Sequence, residues 1–305
     1  MPSWQVRLFG QFEFTRGDIS CDLPASTSAR ALLAYLLLHK GRLIPRSTLA
    51  DLVAPEASEE QARRALSQAL WHVRRCLPEL LHNEAGQVGI VQPVEIWVDA
   101  LEFQTLAEQS LAGRIQLVIA LTTLRQAVDL YRSDLLEGYY DEWVLIESER
   151  LRDLYLRVLE SLVIAYKTAL QYQHALSTAL RLTSIDPLNE SAHREVMRLY
   201  HYLGCPAEAL NQYETCRKIM LREFSLELEA ETIQLAQAIA MPTTRKATPH
   251  LPEPSSVTDD RLLVGQTRAA IPLVGRSVEQ ALLVGWLRQS NTARGRFILL
   301  EGEAG

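Results

Sequence analysis

The first hundred residues alternate between short strand-like pieces and stretches with helical periodicity. Apolar and polar side chains alternate over residues 5–9 and 11–15, which predicts two strands. Apolar positions then recur three and four residues apart, and glycine or proline follows each such stretch. Strands, three helices and a hairpin in this order are the layout of a winged helix-turn-helix. We predict helices over residues 28–40, 47–53 and about 58–77, and a β-hairpin over residues 86–91 and 94–98 with its turn at Gln92-Pro93.

The third predicted helix has one apolar face and one basic face. At about 100° per residue, its leucines, alanines and valine fall on one stripe that covers about a third of the circumference. The opposite arc contains no acidic residue, and its arginine, glutamine and hydroxyl groups are those that bind guanine edges, adenine edges and phosphates. The arc predicts a DNA-recognition helix; a solvated amphipathic helix is the alternative. Its members are Arg63, Arg64, Ser67, Gln68, Trp71, Arg74 and Arg75.

The charge of the chain is unevenly distributed, although its net value is −6. Residues 100–241 carry 13 basic and 20 acidic side chains, a balance of −7, whereas residues 1–99 carry 10 and 11, a balance of −1. Residues 23–50 and 61–78 contain basic side chains and no Asp or Glu. Because DNA affinity depends on local phosphate neutralisation, these two segments matter more than the total.

We therefore divide the basic residues between two tasks. The helix face around Arg64, Ser67, Gln68, Trp71 and Arg75 is predicted to face base edges. Whether Trp71 touches DNA or packs against the hairpin stays open. The hairpin and a second group of arginines are predicted to hold phosphates. This second group consists of Arg30, Arg42, Arg46, Arg63 and Arg74.

Residues 100–241 show helical periodicity almost throughout, and they repeat. Tyr166 and Tyr200 lie 34 residues apart, as do Ala175 and Ala209, which is the period of a tetratricopeptide repeat. Arrays of such repeats form docking surfaces, and nothing in this part has the pattern of a catalytic site. The predicted helices cover residues 101–111, 115–131, 146–170, 173–183, 191–203, 207–223 and about 229–239.

The predicted fold class is an α+β winged helix-turn-helix over residues 1–99, followed by an all-α, tetratricopeptide-like helical repeat domain over residues 100–241, mostly α overall. Residues 242–272 are predicted to be a proline-rich linker. Residues 273–305 are predicted to be the truncated start of a P-loop NTPase domain, with Gly302 as the first glycine of the loop. The lysine and hydroxyl of that motif would follow residue 305, so this chain has no complete nucleotide site.

Several function classes are disfavoured by the same residues. No run of eighteen apolar residues is present, and the amino terminus lacks the pattern of a signal peptide. The four cysteines lie far apart without metal-ligand spacing. We predict a cytoplasmic protein that is not an enzyme and has no metal, no membrane contact and no cofactor of its own; ATP is expected only in a longer parent protein.

Five motifs carry a resemblance to a known family. They are ARALLAYL at residues 29–36, EEQAR at 59–63, WVD at 97–99, YRSDLLEGYYDEWV at 131–144 and DPLNESAHR at 186–194. With them the chain resembles transcriptional activators of the Streptomyces antibiotic regulatory protein (SARP) type. These join an OmpR-like winged helix to a bacterial transcriptional activator domain of tetratricopeptide type. The segment at residues 273–305 resembles the corresponding part of larger family members that add a signal-transducing NTPase.

The resemblance implies sequence-specific binding to direct repeats in promoters and recruitment of RNA polymerase. It implies that the third helix enters the major groove and that the hairpin at residues 88–98 contacts the backbone or minor groove. The loop Ala54, Pro55, Glu56 and Ala57 would be offered to polymerase. Binding to direct repeats requires two copies side by side, so we expect a dimer on DNA and a monomer or weak dimer in its absence.

The chain also departs from the family pattern. The family often has Arg in place of Ser67 and Lys in place of Ser28, and usually a small polar residue in place of Trp71. Fewer cations predict a weaker phosphate attraction. Two other functions stay open: a tetratricopeptide scaffold that recruits proteins, and the regulatory front end of a signal-transducing NTPase.

Overall fold

The predicted order of strands and helices is present in the computed structural model, which describes residues 4–17, 19–78, 80–91, 95–112, 117–225 and 227–241. The predicted linker and the predicted P-loop segment with Gly302 lie outside these residues. The strands are β1 Trp4–Arg7, β2 Glu13–Arg16, β3 Ile19–Ser20, β4 Ile44–Pro45, β5 His82–Glu84, β6 Gln87–Gly89 and β7 Ile96–Val98. The helices are α1 Thr27–Leu38, α2 Arg46–Val53, α3 Glu59–Cys76, α4 Asp99–Leu111, α5 Leu117–Leu130, α6 Glu142–Thr168, α7 Tyr172–Ile185, α8 Glu190–Tyr202, α9 Pro206–Phe224 and α10 Ala230–Ala240.

The amino-terminal alternation builds a four-stranded sheet in the order β3-β2-β1-β7. β1 and β2 are antiparallel with Val6 opposite Phe14, and both side chains are buried. The chain reverses between them through Gly10, whose φ of 89° is a left-handed conformation that glycine adopts without strain. The buried side chains on one face of this sheet belong to the same core as the buried side chains of α1.

The predicted hairpin over residues 86–98 is wrong in its pairing. β6 pairs antiparallel with β5 and with β4, whereas β7 lies in the other sheet, parallel to β1. The turn of the real hairpin is Ala85-Gly86, with φ values of 49° and 77°. β5 was not predicted from the sequence, because all three of its residues are polar and exposed and it has no apolar alternation. β7 joins β1 because its buried side chains, Ile96 and Val98, extend the apolar face of the first sheet.

The three helices between the sheets form the helix-turn-helix. α1 is the most apolar of them, and seven of its twelve side chains are buried. α3 begins after Ser58, whose backbone N–H donates to Gln61 Oε1 at 3.2 Å, as the capping pattern predicts. α2 and α3 both pack on α1 and on each other, and β5 and β6 form the wing.

The helices α4 to α10 confirm the helical repeat. Each packs on the next along the chain, which is the arrangement of stacked helical hairpins. Ala175 and Ala209, one repeat apart, are both fully buried, as the small residues at close helix contacts should be. Tyr166 is also buried, whereas Tyr200 is half-buried.

The winged helix is joined to the first repeat helices by backbone pairing. The segment between α5 and α6 runs beside the residues that follow β1. The N–H of Gly10 donates to the carbonyl of Asp134 at 2.9 Å, that of Leu136 to Leu8 at 2.8 Å, and that of Glu137 to Gly10 at 2.9 Å. A single buried core accordingly extends from β1 into α8, and Met1–Thr243 forms one compact unit.

Side chains reinforce this junction. Phe9, Phe103 and Tyr131 form an aromatic cluster with ring centres 4.6 to 5.6 Å apart, and Tyr131 stacks on Tyr155 at 4.1 Å. The Asp99 carboxylate at the start of α4 accepts the N–H of Leu8 at 2.8 Å and that of Phe9 at 3.1 Å. Burial raises the pKa of this carboxyl group, and the backbone donors offset part of that rise.

Gly89 allows the wing to pair with β4, because a Cβ atom at this position would clash with the carbonyl oxygen of Arg42. We expect Gly89→Ala to destabilise the fold by about 1–3 kcal/mol, as overpacking does, in thermal unfolding followed by circular dichroism. Gly86→Asn is the matched control, since a Cβ at Gly86 meets open space and Asn tolerates its positive φ. Equal stability of Gly89→Ala and the wild type would contradict the close approach.

Candidate nucleic-acid interface

The outward face of α3 is exposed along its whole length. Its buried side consists of alanine, leucine and valine side chains that pack against α1 and α2. Every residue predicted for the opposite arc is exposed, and the helix is regular from Glu59 to Cys76. The apolar face anchors the helix, so the polar side chains face outward. The exposed residues are Arg63, Arg64, Ser67, Gln68, Trp71, Arg74 and Arg75.

Four of these residues form the outermost row of the helix, which we call the outer row. Arg64, Gln68, Trp71 and Arg75 are spaced by four, three and four residues, so they lie above one another on one face. The Trp71 side chain is 54% exposed. The guanidinium of Arg75 lies 5.4 Å from its ring centre, within the range of a cation–π contact. Trp71 therefore supports Arg75 in the outer row and presents its ring to solvent.

Acidic residues are closer to this face than the sequence prediction allowed. Glu59 and Glu60, in the first turn of α3, form ion pairs with Arg63 and Arg64 one turn further on. The predicted helix, residues 58–77, included both glutamates, but the acid-free segment was counted from residue 61, and so the two ion pairs were missed. The signal was available, because Glu four residues before Arg on a helix is the spacing of such a pair.

The arginines predicted to hold phosphates have three different surroundings. Arg46 begins α2, and its Nη2 donates to Ser67 Oγ on α3 at 3.2 Å, which brings it to the edge of the outward face. Arg42 is exposed just before β4. Arg30 differs, because it is half-buried and its Nε donates to the carbonyl of Pro24 at 2.6 Å. The structure thus places Arg46 beside the outward face of α3, whereas the Nε of Arg30 is used in a hydrogen bond within the fold.

The wing offers little positive charge. Residues 82–89 contain no Lys or Arg, and Glu84 lies 3.3 Å from the Nε2 of His82. Any phosphate contact from the wing would therefore rely on neutral groups, such as the side chains of Asn83 and Gln87 and backbone N–H groups. The hairpin is a weaker candidate for phosphate attraction than the arginines of α2 and α3.

The segment between α2 and α3 is a short surface loop. Pro55 and Glu56 at its tip are exposed, whereas Ala54 and Ala57 are half-buried against the core. The loop is held by the N–H of Ala57, which donates to the carbonyl of Ala54 at 3.2 Å. A polar tip on a fixed base is a suitable shape for a protein contact.

The residues that the structure describes also bear on metal binding and on membrane insertion. Within them, no group of three or more His, Cys, Asp or Glu side chains could hold a metal ion. In the same part of the chain, no helix combines the length and the apolar character needed to cross a membrane.

The structure joins a helix-turn-helix and its wing to stacked helical hairpins. Residues 98–240 match the family model of the bacterial transcriptional activator domain, which begins at the end of β7 and ends with α10. This match confirms the resemblance to SARP-type activators for the helical part of the chain. The proposed P-loop segment stays a prediction.

Two regulatory proteins of Streptomyces are similar over most of the chain. Regulatory protein AfsR of Streptomyces coelicolor is 28% identical over 250 residues, which cover 81% of this chain and 25% of AfsR. Regulatory protein DnrI of Streptomyces peucetius is 26% identical over 252 residues, which cover 77% of this chain and 92% of DnrI. The chain thus spans about a quarter of AfsR and nearly all of DnrI. Both relatives are regulatory proteins by name.

A solved structure has the same fold. EmbR of Mycobacterium tuberculosis, in complex with a low-affinity phosphopeptide, superposes with a TM-score of 0.64 at 16% identity. The superposition covers 78% of this chain and 65% of the EmbR chain. It confirms the predicted fold class, a winged helix followed by tetratricopeptide-like helices.

Proposed function

We propose that the chain is a sequence-specific DNA-binding transcriptional activator that reads the major groove with α3. The observation that carries this proposal is the outer row: Arg64, Gln68, Trp71 and Arg75 are exposed on a regular helix whose other face is buried. With 18 residues, α3 is about 27 Å long. The major groove, which is about 12 Å wide, accepts an α-helix. Arginine then binds guanine, glutamine binds adenine, and the Trp71 ring contacts thymine methyl groups.

Phosphate contacts flank the outer row in this proposal. Arg46, Arg63 and Arg74 border the row and would neutralise the backbone on one side of the groove, and Arg42 would do so near the wing. Arg30 can contribute only with the guanidinium nitrogens that do not bind Pro24. The contacts from these arginines supply affinity, whereas the outer row supplies sequence preference.

The resemblance to SARP-type activators extends the proposal to promoter architecture. The chain binds direct repeats as a side-by-side dimer, and the helical repeats contribute to that pairing. Because residues 100–241 have a charge balance of −7, mutual repulsion keeps free copies monomeric or weakly associated. The exposed tip of the loop at Pro55 and Glu56 contacts RNA polymerase.

The test is binding to duplex DNA as a function of salt. A fluorescent random duplex should bind with a log–log salt slope of roughly −4, if four to five phosphates are neutralised at about 0.9 each. Selection from a random duplex pool should then enrich a sequence that occurs as a direct repeat. Affinity that is independent of salt would instead favour the scaffold function, in which the winged helix contacts only protein.

A further inference from the structure

Glu60 continues the outer row towards the start of the helix. It lies four residues before Arg64, which continues the spacing of Arg64, Gln68, Trp71 and Arg75. Its carboxylate is bonded to the Arg64 guanidinium, and both side chains are 77% exposed. The face that would meet DNA therefore begins with a negative charge.

This ion pair has little value for folding. Pairs exposed to this degree are weakened by solvent and contribute little to stability. The Glu60 carboxylate does interact favourably with the amino terminus of α3, but Glu59 in the same turn does so as well. What distinguishes Glu60 from Glu59 is its position in the outer row.

We propose that Glu60 is a specificity-determining residue of the DNA-reading face, an inference that rests on the proposed function. On most duplexes, Arg64 can reach a phosphate or a base only by leaving Glu60. The unpaired carboxylate then faces the negatively charged groove, which lowers the affinity. On the preferred sequence, the Glu60 carboxylate accepts a hydrogen bond from the N4 amino group of a cytosine, while Arg64 donates to a nearby guanine.

The spacing of the two side chains suits such a pair of contacts. Four residues of helix correspond to a rise of about 6 Å, and neighbouring base pairs in a duplex are about 3.4 Å apart. Glu60 and Arg64 therefore reach base pairs that are one or two steps apart. The ion pair in the free protein holds both side chains extended over the face until these bases replace it.

Glu59 provides a matched control within the same helix turn. It is the same residue type, it also has an ion pair four residues on, with Arg63, and it also belongs to the acidic first turn. Glu59 is also exposed, at 80%, but it lies one turn before Arg63 on the flank of the outer row and not in the row itself. Glu59→Gln removes one charge and one ion pair beside an arginine that is proposed to hold a phosphate and not to face a base edge.

The experiment compares the full chain with Glu60→Gln and Glu59→Gln, using a random duplex and the sequence that the wild type selects. Each variant frees one arginine, so the affinity for random duplex should rise about threefold and the salt slope should steepen by about 0.9. For Glu59→Gln, the affinity for the selected sequence should rise equally. For Glu60→Gln, discrimination should fall about tenfold, and pool selection should lose its preference for cytosine at one position.

The outcomes separate this inference from the proposed function. Equal discrimination by Glu60→Gln and Glu59→Gln, with every base preference retained, would overturn the role of Glu60 and leave DNA reading by α3 intact. A wild-type chain that selects no sequence would overturn both. Circular dichroism of the two variants should show the helix content of the wild type, since both substitutions are on the surface.

Discussion

Replacing Arg64 and Arg75 together by glutamate should abolish the retention of duplex DNA by the chain. Both side chains are exposed in the outer row, where they are proposed to face base edges. A good arginine–base contact contributes about 1–3 kcal/mol, so the loss of two removes roughly 2–6 kcal/mol. Two new carboxylates facing the groove add repulsion. In a gel-shift assay with the selected duplex, the shifted band should disappear at protein concentrations that shift the wild type completely.

The control for this variant reverses two exposed arginines far from α3. Arg217 and Arg222 lie on α9, and both are exposed. The variant Arg217→Glu with Arg222→Glu undergoes the same change in net charge and should retain duplex like the wild type. If Arg64→Glu with Arg75→Glu bound duplex normally, the assignment of the outer row would be wrong.

Phe103→Ala should destabilise the winged helix and the first repeat helices together. Phe103 lies on α4, is completely buried, and contacts Phe9, Tyr131 and Tyr155. Truncation of a buried Phe to Ala costs about 3–5 kcal/mol, and each kcal/mol lowers the melting temperature of a unit of this size by roughly 2–4 °C. Thermal unfolding should therefore show one transition, at a temperature roughly 6–20 °C below that of the wild type.

Tyr140→Ala is the control for aromatic truncation. Tyr140 is 82% exposed, so the same kind of change should shift the melting temperature by only a degree or two. A second, separate transition in the wild type would contradict the shared core of the winged helix and the repeats. So would a Phe103→Ala variant as stable as Tyr140→Ala.

Local patterns were sufficient to predict the helices. The 3.6-residue periodicity and the repeated alanines predicted all seven helices that the structure describes between residues 99 and 240. Their starts are displaced by at most four residues, as at Glu142 of α6. The exposed face of α3 was also predictable, because burial of a regular helix follows from the positions of its apolar residues. Each of these features depends on residues close together in sequence.

The features that the sequence did not predict depend on distant partners or on rotamers. The pairing of β7 with β1 joins residues more than ninety positions apart, and no local pattern distinguishes it from a hairpin with β6. The bond from Arg30 to Pro24 depends on the path of an irregular segment. The pairing of Arg64 with Glu60 was within reach of sequence analysis, but it required the helix to be examined beyond its basic segment.

The pairing of Leu8–Gly10 with Asp134–Glu137 sets a lower limit on the size of any transplantable DNA-reading module. A chimera that ended at residue 99 would keep α3 intact, but it would leave Phe9 without Phe103 and Tyr131, and Leu8 and Gly10 without their backbone partners. Such a fragment would expose an apolar edge to solvent, and exposed apolar surface promotes aggregation. Domain exchange between this chain and its relatives should therefore join the parts after Glu137, beyond α5.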